Sequence, residues 1–238
     1  MQYIQAYRYV FQSPKWFMNL LWAALSGFVP IVGPMVLMGW AFEAIEGLLQ
    51  SRGASYPDID INRLGKYLMR GLWPFLVSLV VSVPVGIIFG IGYMITVVAG
   101  AALSQNHPTI FWVIFPLVLL VGIVLSLLTH MVLVPLCLRA GFSQDFASAF
   151  NVEFVKDFLA RMWKDLLLVW LFMLVTAPFV IFAGLLILCV GIYFAGALIN
   201  LAQYHFWYQF YALYLERGGT PIPLVAKPAV EQIIPEEN

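Results

Sequence analysis

Two histidines stand where side chains of their type can do chemistry. His130 and His205 each lie inside an apolar, charge-free run. Imidazoles on different helices at one depth can ligate a haem b iron or hold a chlorophyll magnesium. The plainer alternative is that each ring bonds a backbone or polar group within a helix bundle. No second histidine pair and no haem-attachment motif accompanies them, so that alternative carries the greater weight. Asn200, Gln203, Tyr204, His205 and Gln209 form a polar patch in the last apolar run. Helical spacing puts Asn200, Gln203 and Tyr204 on one side, where they can tie helices together or line a pathway. Glu43 and Glu46 close the first apolar run and suit proton or ion uptake. The plainer expectation is that Glu43 pairs with a nearby arginine and Glu46 reaches the interface. The sequence shows no nucleotide-binding glycine loop, no Cys or His metal cluster, no nucleophile elbow and no paired catalytic carboxylates on a plausible helix face.

These residues must be positioned by membrane elements. Of the 238 residues, 63% are hydrophobic and 10% charged, with mean hydropathy +0.92, against about a quarter charged in a soluble domain. Several charge-free runs exceed the roughly 20 residues that cross a hydrocarbon core. The apolar residues are continuous rather than alternating, which argues against a barrel. No short cationic start with a cleavage site marks a signal peptide. Twelve basic residues balance 12 acidic ones, a balance that points to neither nucleic acid nor an acidic partner. Cys137 and Cys189 are expected on opposite sides of the membrane as free thiols.

The stretch Ser26 to Pro34 interrupts the first run, Phe17 to Leu49. Two prolines with a glycine between them break a helix there, and a broken backbone in lipid must be satisfied by protein or water. As one helix the run would be about 50 Å long; split, each half is about 22 Å, short of a core of about 30 Å. A re-entrant segment or thin hairpin fits the break, with a long, tilted, kinked helix as competitor. Before it, Gln2 to Trp16 reads as an interfacial helix, with Tyr3, Ala6, Tyr7, Val10 and Phe11 at helical spacing. A second surface helix is expected over Ile61 to Arg70. A third is expected over Arg139 to Asp165, where Phe142, Phe146, Phe150, Phe154, Phe158 and Met162 fall four apart as an interfacial anchor. Apolar runs follow at Gly71 to Leu103, Thr109 to Leu138 and Leu166 to Leu215. Turns are expected at Ser104 to Pro108 and Gly184 to Gly191.

A threefold pattern emerges. Pro14-Lys15-Trp16-Phe17, Arg70-Gly71-Leu72-Trp73-Pro74-Phe75 and Arg161-Met162-Trp163-Lys164 each place a Trp where an apolar run begins. Each run then carries a proline and a nearby glycine: Pro30 with Gly33, Pro84 with Gly86, and Pro178 with Gly184. Read as helix breaks, with Pro34, these define three surface-helix-plus-hairpin units over 1–50, 51–138 and 139–216. Nearly every Lys and Arg then lies on one face, the cytoplasmic one, together with both termini.

The segments Tyr7-Arg8-Tyr9-Val10-Phe11-Gln12-Ser13-Pro14-Lys15-Trp16, Pro30-Ile31-Val32-Gly33-Pro34 and Gly39-Trp40 resemble the opening of an uncharacterised bacterial and archaeal membrane family, domain of unknown function 4013. The resemblance extends over roughly Met1 to Gly218 and is specific in the first third. Val29 stands where Ile is commoner, and Glu43 and Glu46 where the family pattern is more often basic. The resemblance implies apolar hairpins separated by amphipathic segments and brings no activity with it.

The expectation is therefore an all-α, polytopic membrane protein with about six membrane segments, a single domain over 1–216, and an extended or disordered cytoplasmic tail over 217–238. It is expected in a bacterial or archaeal cytoplasmic membrane. Its expected role is a non-enzymatic structural or accessory subunit, as a homo-oligomer or beside other membrane-protein subunits, with bound lipids, no resident cofactor and no nucleic acid. The alternatives are a transporter or lipid-handling protein, and a haem- or chlorophyll-binding subunit on His130 and His205.

Overall fold

The computed structural model describes residues 1–51, 57–104, 108–187 and 190–223. Those residues form helices and turns, with no strand among them. Helix α1 (Gln5–Arg8) runs into a 3-10 turn, Tyr9–Phe11. Then come α2 (Trp16–Ser26), α3 (Val32–Gln50), α4 (Leu64–Ser104), α5 (Pro108–Ser143), α6 (Phe146–Ala149), α7 (Val152–Leu185) and α8 (Gly191–Glu216). Among the described residues four segments are long and apolar enough to cross a membrane: Val32–Gln50, Ile61–Gly100, Trp112–Ser143 and Val152–Leu185. Helix α2, with 11 residues, is about 16 Å long and too short to cross. Helix α8 has the length but carries the polar patch, and it is not among the four.

The first apolar run breaks between Ser26 and Val32. Ile31 has φ 69° and ψ −61°, and Val32 N–H donates to the Pro30 carbonyl at 2.8 Å. This is a γ-turn of the rare, strained hand, held by a β-branched residue at positive φ. Gly33 then packs on the end of α2, where a Cβ would collide with the Ser26 carbonyl. The two arms therefore close as a tight hairpin.

Pro84 and Pro178 do not break their helices, contrary to expectation. Pro84 lies inside α4 and Pro178 inside α7, and both helices continue through them. One proline removes one backbone bond, freeing the carbonyl four residues earlier, Val80 or Leu174. In a long apolar helix the flanking bonds outweigh that single loss, and neighbours or local adjustment satisfy the freed group. At Pro30 the outcome differs because a second proline and a left-handed residue follow within one turn.

Two of the expected surface helices are not separate elements. Ile61–Arg63 is a 3-10 turn that leads without interruption into α4. The stretch from Arg139 to Asp165 is divided among three helices. Gln144 takes φ 50° and ends α5. Asp145 accepts from the N–H groups of Ala147 and Ser148 to cap α6, and Asn151 accepts from Phe154 N–H at 2.8 Å to cap α7. Most of the phenylalanine stripe is thereby folded inward, while Phe146 is half-buried and Phe150 stays exposed. Phe142, Phe154, Phe158 and Met162 are buried core rather than an interfacial anchor, because the caps turn their helices to face one another. The N-terminal stretch likewise packs lengthwise on α8, with Ala6, Tyr9 and Val10 buried.

Close backbone contact sets the helix spacing. Gly39 of α3 and Gly71 of α4 face each other, Gly141 of α5 makes room for the Phe42 ring, and Gly184 and Gly191 meet where α7 turns back into α8. The core centres on Phe42, which is edge-on to Phe142 (5.6 Å) and tilted against Trp207 (5.9 Å). Cys137 is buried with its thiol toward the Pro74 carbonyl. Cys189 and residues 105–107 of the turn expected at Ser104 to Pro108 lie outside the described residues, as does the tail from 224 onward. Residues 217–223 carry no helix but are pinned to the body: Ile222 is buried and its N–H donates to Tyr211 Oη at 2.9 Å.

Candidate functional site

Several charged residues pair where helices meet. Glu43 of α3 pairs with Arg63 at 2.5 Å and lies 3.9 Å from Lys66, and Glu46 pairs with Arg70. Gly39 and Gly71 bring α3 and α4 close enough for these pairs to form across the helix contact. Paired in this way, the two carboxylates act first as ties between helices. A second cluster closes the α7–α8 base. Asp157 holds Arg161 at 2.8 Å and accepts from Tyr214 Oη at 2.7 Å, while Arg217 reaches Asp165 at 2.6 Å.

A third cluster was not singled out from the sequence. Asp58 accepts from Ser13 Oγ at 2.5 Å and Asn19 Nδ2 at 2.7 Å, and Asn19 Oδ1 accepts from Ile59 N–H at 3.0 Å. Burial opposes charge on Asp58. The hydrogen bonds from Ser13 and Asn19 and the positive charge of Lys15 outweigh it, holding the carboxyl below the usual carboxylate range. The available signal was Asn19, the lone amide in the mainly apolar α2.

The two histidines meet different partners. The His205 ring stacks on Tyr9 at 4.4 Å, and Tyr9 Oη donates to the Leu201 carbonyl at 2.6 Å. The His130 ring stands edge-on to Phe210 at 6.4 Å, and its buried Nε2 has no hydrogen-bond partner among the described residues. Positions 205 and 210 are about 140° apart around α8, so His205 leaves that helix on a different side from the one His130 packs against. Gln209 is met by the chain start: its Oε1 accepts from Gln2 N–H at 2.7 Å and its Nε2 donates to the Gln2 carbonyl at 3.1 Å. Among the described residues no group of three or more His, Cys, Asp or Glu side chains is placed to hold a metal ion.

Asn200 and Tyr204 line a cleft of about 400 Å³ between the α2–α3 hairpin and α8, with Pro34 on the opposite wall. Gln203 does not line it, despite its expected place beside them. Small residues open the space: Ala23, Ala24 and Gly27 on one side, Gly196 and Ala197 on the other. A separate apolar groove of about 220 Å³ lies on the far side of the hairpin, with Trp22, Val36, Trp40 and Leu64 in its walls.

No curated protein and no solved structure matches the chain. The pattern of a family described as a protein of unknown function, DUF4013, matches residues 23–201. The matched stretch begins inside α2, holds the hairpin break and the long helices, and ends within α8. The aromatic-basic start, Tyr7 to Trp16, falls outside it. With three quarters of its length matched in this way, the chain belongs to the DUF4013 family.

Proposed function

We propose that this protein is a non-enzymatic subunit of a membrane assembly, either self-associated or joined to other membrane proteins. In this reading it sits in a bacterial or archaeal cytoplasmic membrane as about six segments in three hairpins, α2–α3, α4–α5 and α7–α8. Both termini face the cytoplasm, because Arg63, Lys66, Arg70, Arg161 and Arg217 gather at the helix ends opposite the hairpin turns.

The observation that carries the subunit reading is the α4–α5 hairpin. The charge-free run of α4, Gly71 to Leu103, would be about 50 Å long against a hydrocarbon core of about 30 Å. Large apolar side chains are exposed along both helices, among them Val80, Ile87, Met94, Leu117 and Leu120. The buried large side chains described on the pair lie near its base, at Tyr67, Phe75 and Val77 on α4 and from Val134 to Phe142 on α5. Excess apolar length must be absorbed by tilt or covered by protein, and mismatch of this kind drives helix association.

Purification of the full chain in mild detergent, followed by native mass and identification of partners, tests the reading. A homo-oligomer or a reproducible complex is expected. A strict monomer that brings down no partner overturns it. Labelling of a cysteine added at the N-terminus in sealed vesicles tests the sidedness separately. A lipid-handling role is the second reading, favoured by the cleft at Asn200.

A further inference from the structure

The cleft between the α2–α3 hairpin and α8 sets the polar side chains of Ser26, Asn200 and Tyr204 among small and apolar residues. Asn200 lies nine positions into the 26-residue helix α8, about 14 Å from its turn end and within the charge-free run Leu166 to Leu215. Its side chain is exposed and makes no hydrogen bond within the described residues. A primary amide has two donors and one strongly accepting carbonyl, and leaving them facing hydrocarbon is unfavourable. Something in the cleft must meet them.

The walls restrict what that is. No charged side chain lines the cleft, so an ionised head would be brought in without a counter-charge. The volume, about 400 Å³, suits a ring or a glycerol-ester portion rather than a single water. The cleft opens sideways: Ile192 and Tyr193 at its mouth are exposed at 38% and 43%, which leaves a path for an apolar tail into the bilayer. Tyr193 is stacked on Phe28 at 4.1 Å, giving the mouth a flat aromatic edge. The geometry points to this cleft as a binding site for a neutral lipid whose head carries a carbonyl, which accepts a hydrogen bond from the Asn200 amide. Two sources share that chemistry, an acylglycerol ester and a quinone. The site is independent of the assembly proposed above, since it needs no second chain.

The test uses the full chain in phosphatidylcholine nanodiscs with three photoactivatable probes: a diazirine diacylglycerol, a diazirine menaquinone analogue and a diazirine phosphatidic acid. Adducts are mapped by peptide mass spectrometry, with the lipid-exposed middle of α5 as background. At least one neutral probe is expected to label α2 and α8 peptides at five times the α5 background or more. Which neutral probe does so identifies the source. Asn200→Leu should cut that labelling at least fivefold, and Asn200→Gln should restore part of it. Gly196→Leu should block it as well, and that variant is expected to fold, because a Cβ on Gly196 meets open space. Labelling no stronger than background, labelling unchanged in Gly196→Leu, or equal labelling by phosphatidic acid overturns the proposal.

Discussion

Gly39 faces Gly71 across the α3–α4 contact, so closely that a Cβ on either would lie within 3 Å of the other's backbone nitrogen, at 2.9 and 2.8 Å. Each would also strike a carbonyl of the opposite helix, that of Tyr67 or Met35. Both obstacles are backbone, which cannot swing aside as a flexible side chain can. Gly39→Ala or Gly71→Ala should therefore force the helices apart and loosen the pairs Glu43–Arg63 and Glu46–Arg70. The expected loss is about 1–3 kcal/mol, read as a lower thermal midpoint by fluorescence-detected size exclusion. Gly86→Ala is the control, since a Cβ there meets nothing. It should be neutral or slightly stabilising through helix propensity.

Ile31 holds its γ-turn at positive φ, where a β-branched side chain is strained by about 1–3 kcal/mol. Ile31→Gly should relieve part of that strain and leave the hairpin intact. Its thermal midpoint is expected to match or exceed that of the parent chain. A clear fall would show that the Ile31 side chain, 62% exposed here, has a partner.

Asp58 links the N-terminal segment to the approach to α4, and its folded carboxyl titrates below its unfolded value. A depressed carboxylate contributes stability that is present above the unfolded pKa, about 3.9. That contribution is lost as pH falls through the lower, folded value. The parent chain should lose stability steeply on acidification below about pH 4. Asp58→Asn should be less stable at neutral pH and show a shallower fall. Melting curves from pH 7 to 3 on both chains check the slope.

His130 is half-buried, with its buried Nε2 unmatched among the described residues. Removing a polar group that lacks a partner is nearly neutral or stabilising, so His130→Met should hold or raise the thermal midpoint. Were His130 a haem or chlorophyll ligand, the purified parent chain would show a Soret or red absorption band that this variant loses. The expected spectrum carries protein bands alone.

Some of this was legible from residue order. The interruption within Ser26 to Pro34 could be read because its causes are local, a proline and too little length to cross, although Gly33 and Pro34 fall in the first turn of α3 rather than in the break. The turn at Gly184 to Gly191 was legible for similar reasons, since a charge-free run too long for one crossing must fold back. The same local reasoning misread Pro84 and Pro178. A single proline is a finite loss, and whether a helix absorbs it depends on the regular turns on either side.

The aromatic stripe from Phe142 to Phe158 shows the other limit. Spacing of four matches one helix lying at an interface. It matches equally well three helices whose caps at Asp145 and Asn151 fold Phe142, Phe154 and Phe158 inward and leave Phe150 exposed, and only their packing separates the two. Asp58 and Asn19 are 39 positions apart, and nothing in their neighbours joins them.

Composition alone determined that this chain belongs with lipid, because hydrocarbon admits long uncharged helices and little else. The tertiary structure decided which glycines let backbones touch, which carboxylates find arginines, and that Asn200 and Tyr204 share a cleft while Gln203 does not. Those outcomes depend on helix rotation and distance, which arise only when the segments pack.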